Sequence, residues 1–496
     1  MPLVLACDIG GSHFRLALVD EAGAIRQDVT LASPGEHEDG GGIAPEAWWD
    51  LFAAAAEQLA RKAPEAFAGA AAVAVCGITR TQVFLDAAGA PVHAAITWRD
   101  ARAAELAEEL RARLDASHPE TTHVNAFHPL ARLAWLQRYA PSAYGRLAHV
   151  VDPKDFINAR LAGIVASDAI SAARLTACAA NAGTASLFAG AGISDAVLPP
   201  LLPPGATVGT IREDASGALA RLAGRPVVCG SHDTWAAVVG LGAMRPGFAY
   251  NISGTTEVLG LMSPADRTAE GLLTIDWGDG LNQIGGPGQN GADTARWLAE
   301  LLAGWRGEDA DVPAVFETLL ARPRDRAPVL FLPFLQGERT PYWNPAMRGA
   351  FLGLNRRHGA GDLAWALIEG IALLNREVLA RAEAAAGITC SEIRFGGGAA
   401  ANRLWAQVKA DVCNRPVVVG AAGEPGLVGA AALAQVAAGT YPDLAAAQAG
   451  MARPARRHVP RGDRRPFYDA LHAQFRRAVP MLAPLTADLA HLETPT

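Results

Sequence analysis

The same pattern of apolar and polar positions occurs twice along this chain. Residues 3–7 (LVLAC) and 14–19 are apolar runs, and the turn between them carries Asp8, Gly10, Gly11 and Ser12. Past the midpoint, GFAYNISGTTEVLGLMS repeats the shape, with a turn of small residues at 253–256 between two apolar runs. Short apolar runs parted by glycine and small polar residues predict β-hairpins. The first hairpin continues into an extended IRQDVTLA. PEAWWDLFAAAAEQLARKA then carries its apolar residues at helical spacing, with Pro45 in the first turn. AAVAVCGITRTQVFLD predicts a strand, a polar interruption and a strand, and the alanine- and glutamate-rich residues 101–114 predict a helix. LPPLLPPG (198–205) predicts a surface connection rather than an element. After it, RPVVCG predicts a strand and DTWAAVVGLGAM a helix with Asp233 as its N-cap. In the second half, 362–386 has apolar positions at intervals of three and four, and SEIRFGGGAAANRLWAQVKADVCNRPVVV predicts strand, glycine turn, helix and strand.

At 496 residues the chain is too long for one ordinary core. The repeat therefore predicts two similar α/β domains, residues 1–243 and 244–485, each opening on a hairpin. Facing each other, they would bring both small-residue turns to one cleft. A net charge of −7 argues against nucleic acid as the main partner, because phosphate-backbone binding needs a basic surface. The basic run RPARRHVPRGDRR (453–465), with proline and glycine interleaved, predicts a solvated surface segment. Six scattered cysteines without C-x-x-C predict free thiols in a reducing compartment. No apolar run approaches the length of a membrane span, so no membrane partner and a cytoplasmic location are expected.

A Walker A loop requires Gly-Lys-Ser/Thr, and none of the three lysines (Lys62, Lys154 and Lys409) follows a glycine. H-E-x-x-H, C-x-x-C and G-x-S-x-G are absent as well, which disfavours a dedicated zinc site and an α/β-hydrolase. What remains is turn chemistry. Gly10, Gly11 and Ser12, and again Gly254, Thr255 and Thr256, can offer backbone N–H groups and hydroxyls to phosphate oxygens. Asp8 either closes its turn or faces a phosphate, holding Mg²⁺ directly or through water. GGGAAA (396–401) fits G-x-G-x-x-A between strand and helix, but Val417–Val419 stand where a dinucleotide site would carry an acidic residue. Such a turn still suits a nucleotide. Asp233 either caps its helix or orients and deprotonates an attacking hydroxyl; His232 beside it is an alternative base or a polar bystander. Arg80 either forks onto hydroxyls or the carboxylate of a sugar acid, or pairs with Asp100 of WRDAR. Trp98 either packs in the core or offers a flat face to a sugar.

These segments resemble, through most of the chain, the FGGY group of carbohydrate kinases, relatives of xylulokinase, glycerol kinase and gluconokinase. CDIGGSHFRLALVD is similar to the family's first phosphate motif and YNISGTTEVLG to its second. PVVCGSHDTWAAVVGLGAMRPG resembles the segment of the catalytic aspartate, FLPFLQGERTPYWNPAMRGAFLGL the signature block, and FGGGAAANRLWAQVKADV the adenosine-binding turn. HPLARLAWLQ resembles a further block, with Arg132 where lysine is usual.

The resemblance implies an α/β fold of two duplicated actin/hexokinase-like (ribonuclease H-like) domains around a central cleft. It implies ATP-dependent phosphorylation of a hydroxyl on a small sugar, polyol or sugar acid, a xylulokinase-like ketose kinase being the leading expectation and a non-catalytic sensor on the same fold the alternative. Asp8 would hold Mg²⁺, and Gly10, Gly11, Ser12, Arg15, Gly254 and Thr255 would meet the ATP phosphates. Asn290, Gly291, Gly397, Gly398 and Asn402 would lie near the nucleotide. Asp233 would be the catalytic base and, with Thr79, Arg80, Trp98 and Asp100, would contact the acceptor. Two departures stand out. Gly11 replaces a common threonine, and Thr79, Arg80 and Thr81 occupy the Met-His-Gly of xylulokinases, with Arg80 at the sugar-binding histidine. The Arg-Glu arrangement of glycerol kinases is not reproduced either. Relatives are often homodimers; no interface is located by the sequence.

Overall fold

The structure, a computed structural model, describes residues 2–35, 42–181, 183–304, 311–421, 423–490 and 492. Its contacts divide the chain into a first unit, Met1–Gly240 with Glu424–Arg453, and a second, Leu241–Gly423 with Pro454–Thr496.

The first unit is built on six strands: β1 (Val4–Ile9), β2 (His13–Val19), β3 (Ile25–Ala32), β4 (Val73–Gly77), β5 (Thr207–Thr210) and β6 (Pro226–His232). Their order in the sheet is β3-β2-β1-β4-β6-β5. β1 runs antiparallel to β2 and parallel to β4, which is in turn parallel to β6. The parallel strands open on apolar runs, Val4–Cys7, Val73–Cys76 and Val227–Cys229, because both faces of the sheet are covered there. On one face lie α1 (Glu46–Lys62) and the helix Pro153–Ala162, through Trp48, Phe52, Leu59, Phe156 and Leu161. The helix Pro425–Ala437 packs against β1 and β4. It is made of small residues, and they let its backbone come close: a Cβ on Gly429 would stand 1.8 Å from the carbonyl oxygen of Ala236. The predicted helix at 101–114 is Ala104–Arg113 and packs with Pro129–Tyr139 in a separate apolar cluster. LPPLLPPG is not purely a connection, since Leu201–Leu202 pairs in parallel with Ser167–Asp168.

The main sheet of the second unit has seven strands: β7 (Phe248–Ser253), β8 (Glu257–Ser263), β9 (Leu273–Asp276), β10 (Asn282–Pro287), β11 (Glu392–Gly396), β12 (Val417–Gly420) and β13 (Pro454–His458). Their order is β9-β10-β8-β7-β11-β12-β13. Within it, β10-β8-β7-β11-β12 repeats β3-β2-β1-β4-β6 strand for strand, in order and direction. The long helix Ala360–Ala386 and the helix Arg403–Cys413 carry the core. The basic run lies at the surface as expected, most of its residues exposed, but it is ordered rather than loose. Part of it is the edge strand β13, with Arg457 paired to Glu392 at 2.6 Å, and beyond the strand Arg461 pairs with Asp411 at 2.5 Å. Charge on an edge strand also blocks unwanted pairing. All six cysteines are buried free thiols, and among the described residues no helix is long and apolar enough to cross a membrane.

Candidate active site

Parallel β1, β4 and β6 end level with one another: Ile9 lies opposite Gly77, and Gly77 opposite His232. Their carboxyl ends therefore open at one sheet edge, where ligands of open α/β sheets bind. Asp8 emerges there from β1, Thr79 and Arg80 follow β4, and Asp233 follows β6. The Asp8 carboxylate lies against the start of the helix Pro425–Ala437, where a Cβ on Gly426 would come within 2.7 Å of Oδ2. Cys76, opposite Asp8 in register, points its thiol at Oδ1 from 3.8 Å. Burial pushes the Asp8 carboxyl up to about 7; the Asp233 and Glu424 carboxylates add to the shift and Arg15 opposes it. Arg15, on β2, pairs with Glu424 at 3.4 Å. The Gly10 N–H closes the first turn on the carbonyl of His13 at 2.9 Å, with Gly11 and Ser12 exposed at its tip.

Asp233 is not the N-cap it was expected to be. Its helix, Asp233–Leu241, starts at Asp233 itself, and the cap comes from His232, whose Nδ1 accepts the N–H of Trp235 at 3.2 Å. Burial holds the His232 imidazole below its ordinary range, which suits a neutral acceptor. The Asp233 carboxylate, 40 % exposed, accepts the N–H of Thr234 at 2.6 Å. A buried ion cluster lies close by: Lys154 pairs with Asp155 at 2.5 Å and Asp168 at 2.8 Å, and Ser231 donates to Asp168.

Among the described residues, no three His, Cys, Asp or Glu side chains converge to hold a metal ion by themselves. The donor set at Asp8 fits a different habit, in which a hard divalent cation takes one or two carboxylates and completes its shell with water and phosphate oxygens, as Mg²⁺ does. A carboxyl held up by burial and like charge is one that such a cation would stabilise as the anion.

The loops after β4 and before Ala104 are tied together from below by Arg132, which is fully buried. Its guanidinium donates to the carbonyls of Arg80 (2.6 Å), Ile96 (3.4 Å), Thr97 (2.5 Å) and Asp100 (3.1 Å), and to the side-chain oxygen of Gln82. Burial draws this guanidinium down to about 10, so it stays charged at neutral pH. Arg80 is exposed and left-handed, with φ 56°. The Asp100 carboxylate is engaged by Arg102 at 2.5 Å. Trp98 is exposed rather than packed in the core, under the Arg99 guanidinium at 4.7 Å. Its indole nitrogen lies 3.7 Å from where a Cβ on Gly11 would stand, so the first turn and the Trp98 loop are neighbours.

The second unit repeats the arrangement with glycines in place of carboxylates. β7 and β11 end level, with Ile252 opposite Gly396. Gly397, at φ 83°, sits so close to β7 that a Cβ would meet the Ser253 carbonyl oxygen at 2.3 Å, and Gly291 packs equally tightly on Thr256. Cβ positions on Gly254 and Gly398 face open space. Gly254, Thr255, Gly291, Gly397 and Gly398 thus gather at one edge. Asn402 caps the following helix, its side-chain oxygen accepting from Leu404 and Trp405 at 3.0 Å. Asn290 is turned inward, donating to the Gly337 carbonyl at 2.8 Å and to Glu338 at 3.0 Å.

Sequence reading missed Glu424, Gly426, Cys76 and Arg456. The small-residue helix in EPGLVGAAALAQ signals close backbone approach and could have pointed to Gly426. Nothing in the pattern marks Arg456, whose guanidinium holds the carbonyls of Ala400 (2.7 Å) and Ala401 (3.2 Å) at the end of the glycine turn.

A solved structure described as xylulose kinase from Rhodospirillum rubrum matches 98% of this chain and 99% of its own, with a TM-score of 0.83 and 26% identity. The fold is thus the two-domain actin/hexokinase-like α/β fold of sugar kinases. The N-terminal domain of the FGGY family of carbohydrate kinases matches residues 3–240, and its C-terminal domain residues 249–438. Xylulose kinase of Escherichia coli is 27% identical over 505 residues, covering 98% of this chain and 100% of the relative. Glycerol kinase of Bordetella parapertussis is 31% identical over 480 residues, covering 89% and 90%. The chain belongs to the FGGY family of carbohydrate kinases. It is a phosphotransferase with an alcohol group as acceptor.

Proposed function

We propose that this kinase transfers the γ-phosphoryl group of ATP to one hydroxyl of a small sugar or polyol, with a ketose of the xylulose type as the first acceptor to test. The observation that carries this reading is the position of Asp233: it stands at the carboxyl edge of the first sheet with Asp8, and His232 has taken over the capping task. In this reading Asp233 orients the acceptor hydroxyl and receives its proton as the new P–O bond forms and the bond to the β-phosphate oxygen breaks, releasing ADP. Proton removal is late, so the main task of this carboxylate is to orient the hydroxyl.

Asp8, with Asp233 and Glu424 nearby, would hold Mg²⁺, which supplies charge neutralisation on the phosphates. Gly10, Gly11, Ser12 and Arg15 would meet the transferred phosphate, and Gly254, Thr255, Gly291, Gly397, Gly398 and Asn402 the nucleotide, through backbone N–H groups and open glycine faces. The Asn290 side chain would act only through the segment it braces. Thr79, Arg80, Trp98 and Asp100 would shape the acceptor subsite. The protein would act in the cytoplasm.

The test is acceptor-dependent ADP release over xylulose, glycerol and a panel of other ketoses, polyols and sugar acids, with Asp233→Asn alongside. The expected result is turnover on one acceptor class that falls about 10²–10⁴-fold in Asp233→Asn, with the KM for ATP retained. No acceptor-dependent ADP release would overturn the reading. Unchanged turnover in the variant would remove Asp233 from it.

A further inference from the structure

We propose that Arg132 is the positioning residue that sets acceptor selectivity, by holding from beneath the two loops that carry Thr79–Arg80 and Trp98–Asp100. This rests on the reading that those loops take the acceptor. The geometry is unusual for a structural arginine, because most buried arginines face carboxylates. Here the guanidinium donates to four main-chain carbonyls, of Arg80, Ile96, Thr97 and Asp100, and to the Gln82 side chain. The carbonyls come from two segments well separated in sequence, 80 and 96–100, while Arg132 itself stands on the helix Pro129–Tyr139. One rigid fork therefore fixes the spacing between the two loops.

The pull is applied where it matters. Arg132 binds the carbonyl of Arg80, the residue held at φ 56°, a conformation that non-glycine residues adopt only when their surroundings hold them there. It also binds the carbonyls on both sides of Trp98–Arg99, so the exposed indole and the exposed Arg80 side chain project from backbone that is pinned, while the side chains themselves stay solvent-facing. A lysine is a single point donor and cannot span Arg80, Thr97, Asp100 and Gln82 together. The arginine thus sets the distance between an exposed cation and an exposed aromatic face.

The experiment compares wild type with Arg132→Lys, and with Gln82→Met, which removes one acceptor and keeps the fork. Hydrogen exchange is followed on peptides covering 78–82 and 96–101, with kinetics on the best acceptor of the panel. Arg132→Lys is expected to speed exchange at those two loops tenfold or more while β4 and β1 keep their protection. The KM for the acceptor should rise at least tenfold and that for ATP by less than twofold, and the ratio of kcat/KM between the two best acceptors should change. Gln82→Met should show the same signs in smaller measure. Exchange that rises across the whole first unit, or acceptor and ATP KM values that move together, would make Arg132 merely structural and overturn the proposal. If wild type phosphorylates no acceptor, the parent reading fails while the exchange measurement still decides whether Arg132 holds these loops.

Discussion

A single carboxyl, Asp8, carries much of the argument, and its environment can be tested by pH. Burial, then the like charges of Asp233 and Glu424, raise its pKa from an ordinary 3.8 to about 7. A raised acid binds its proton more tightly in the folded chain. Its contribution to stability is therefore full below about pH 4 and is lost as pH rises through about 7. Asp8→Asn cannot ionise, so its unfolding free energy, followed by denaturant melts, should match wild type near pH 4 and exceed it increasingly toward pH 8, by up to about 4 kcal/mol. Mg²⁺ should narrow that gap at pH 8 by stabilising wild type alone. A gap independent of pH would show that Asp8 ionises without penalty. The sequence made Asp8 a candidate because an aspartate beside two glycines suits a phosphate as well as a turn. It did not show Gly426 or Cys76 closing on the carboxyl, because both lie far from Asp8 along the chain and meet it only through packing.

At the scale of elements, periodicity located strands and helices well but could not say what holds a turn in place. The GGGAAA turn reads directly from its glycines, and Gly397 proves to need its positive φ and its close approach to Ser253. Its brace does not read at all. Arg456 comes from β13, the basic segment that composition assigns to solvent, and it binds the last two carbonyls of the turn. Arg456→Ala leaves those carbonyls to water and frees the turn's end. Loss of two charge-assisted bonds of this kind, each about 1.5–3 kcal/mol where fully formed, should raise the KM for ATP by about tenfold. The acceptor KM should stay within twofold and the melting temperature within a few degrees. Steady-state kinetics with each substrate varied in turn gives the answer; equal effects on both substrates would make the brace a general fold element. The cap of the helix Asp233–Leu241 teaches the same lesson from the other side. Asp before a helix is the ordinary capping residue, yet His232 supplies the cap, a choice set by burial of its ring rather than by local preference.

For the whole molecule, the duplication was legible because it repeats a hairpin, and a hairpin announces itself by two apolar runs around a small-residue turn. The return of residues 424–453 to the first unit was not, since an apolar helix face does not name its partner. The lysines turn this organisation into a measurement. Only three exist in 496 residues. Lys62 is exposed, its amine donating to the carbonyl of Asp28 at 3.0 Å. Lys154 is buried in the first unit between Asp155 and Asp168, and Lys409 in the second against Glu257 and Asn375. A buried ammonium without partners would cost several kcal/mol, so each is retained with its carboxylate, and neither can reach solvent without opening its unit. Of the three lysine side chains, an amine-reactive reagent at pH 8 should therefore modify Lys62 within minutes and leave Lys154 and Lys409 unmodified until the chain unfolds. Followed by peptide mass spectrometry through a denaturant series, labelling of Lys154 reports the first unit and labelling of Lys409 the second. Coincident transitions would mean that the units unfold as one, and separate midpoints that they are independent foldons. Labelling of either in native conditions would contradict the burial of these pairs, and with it the cores built around them.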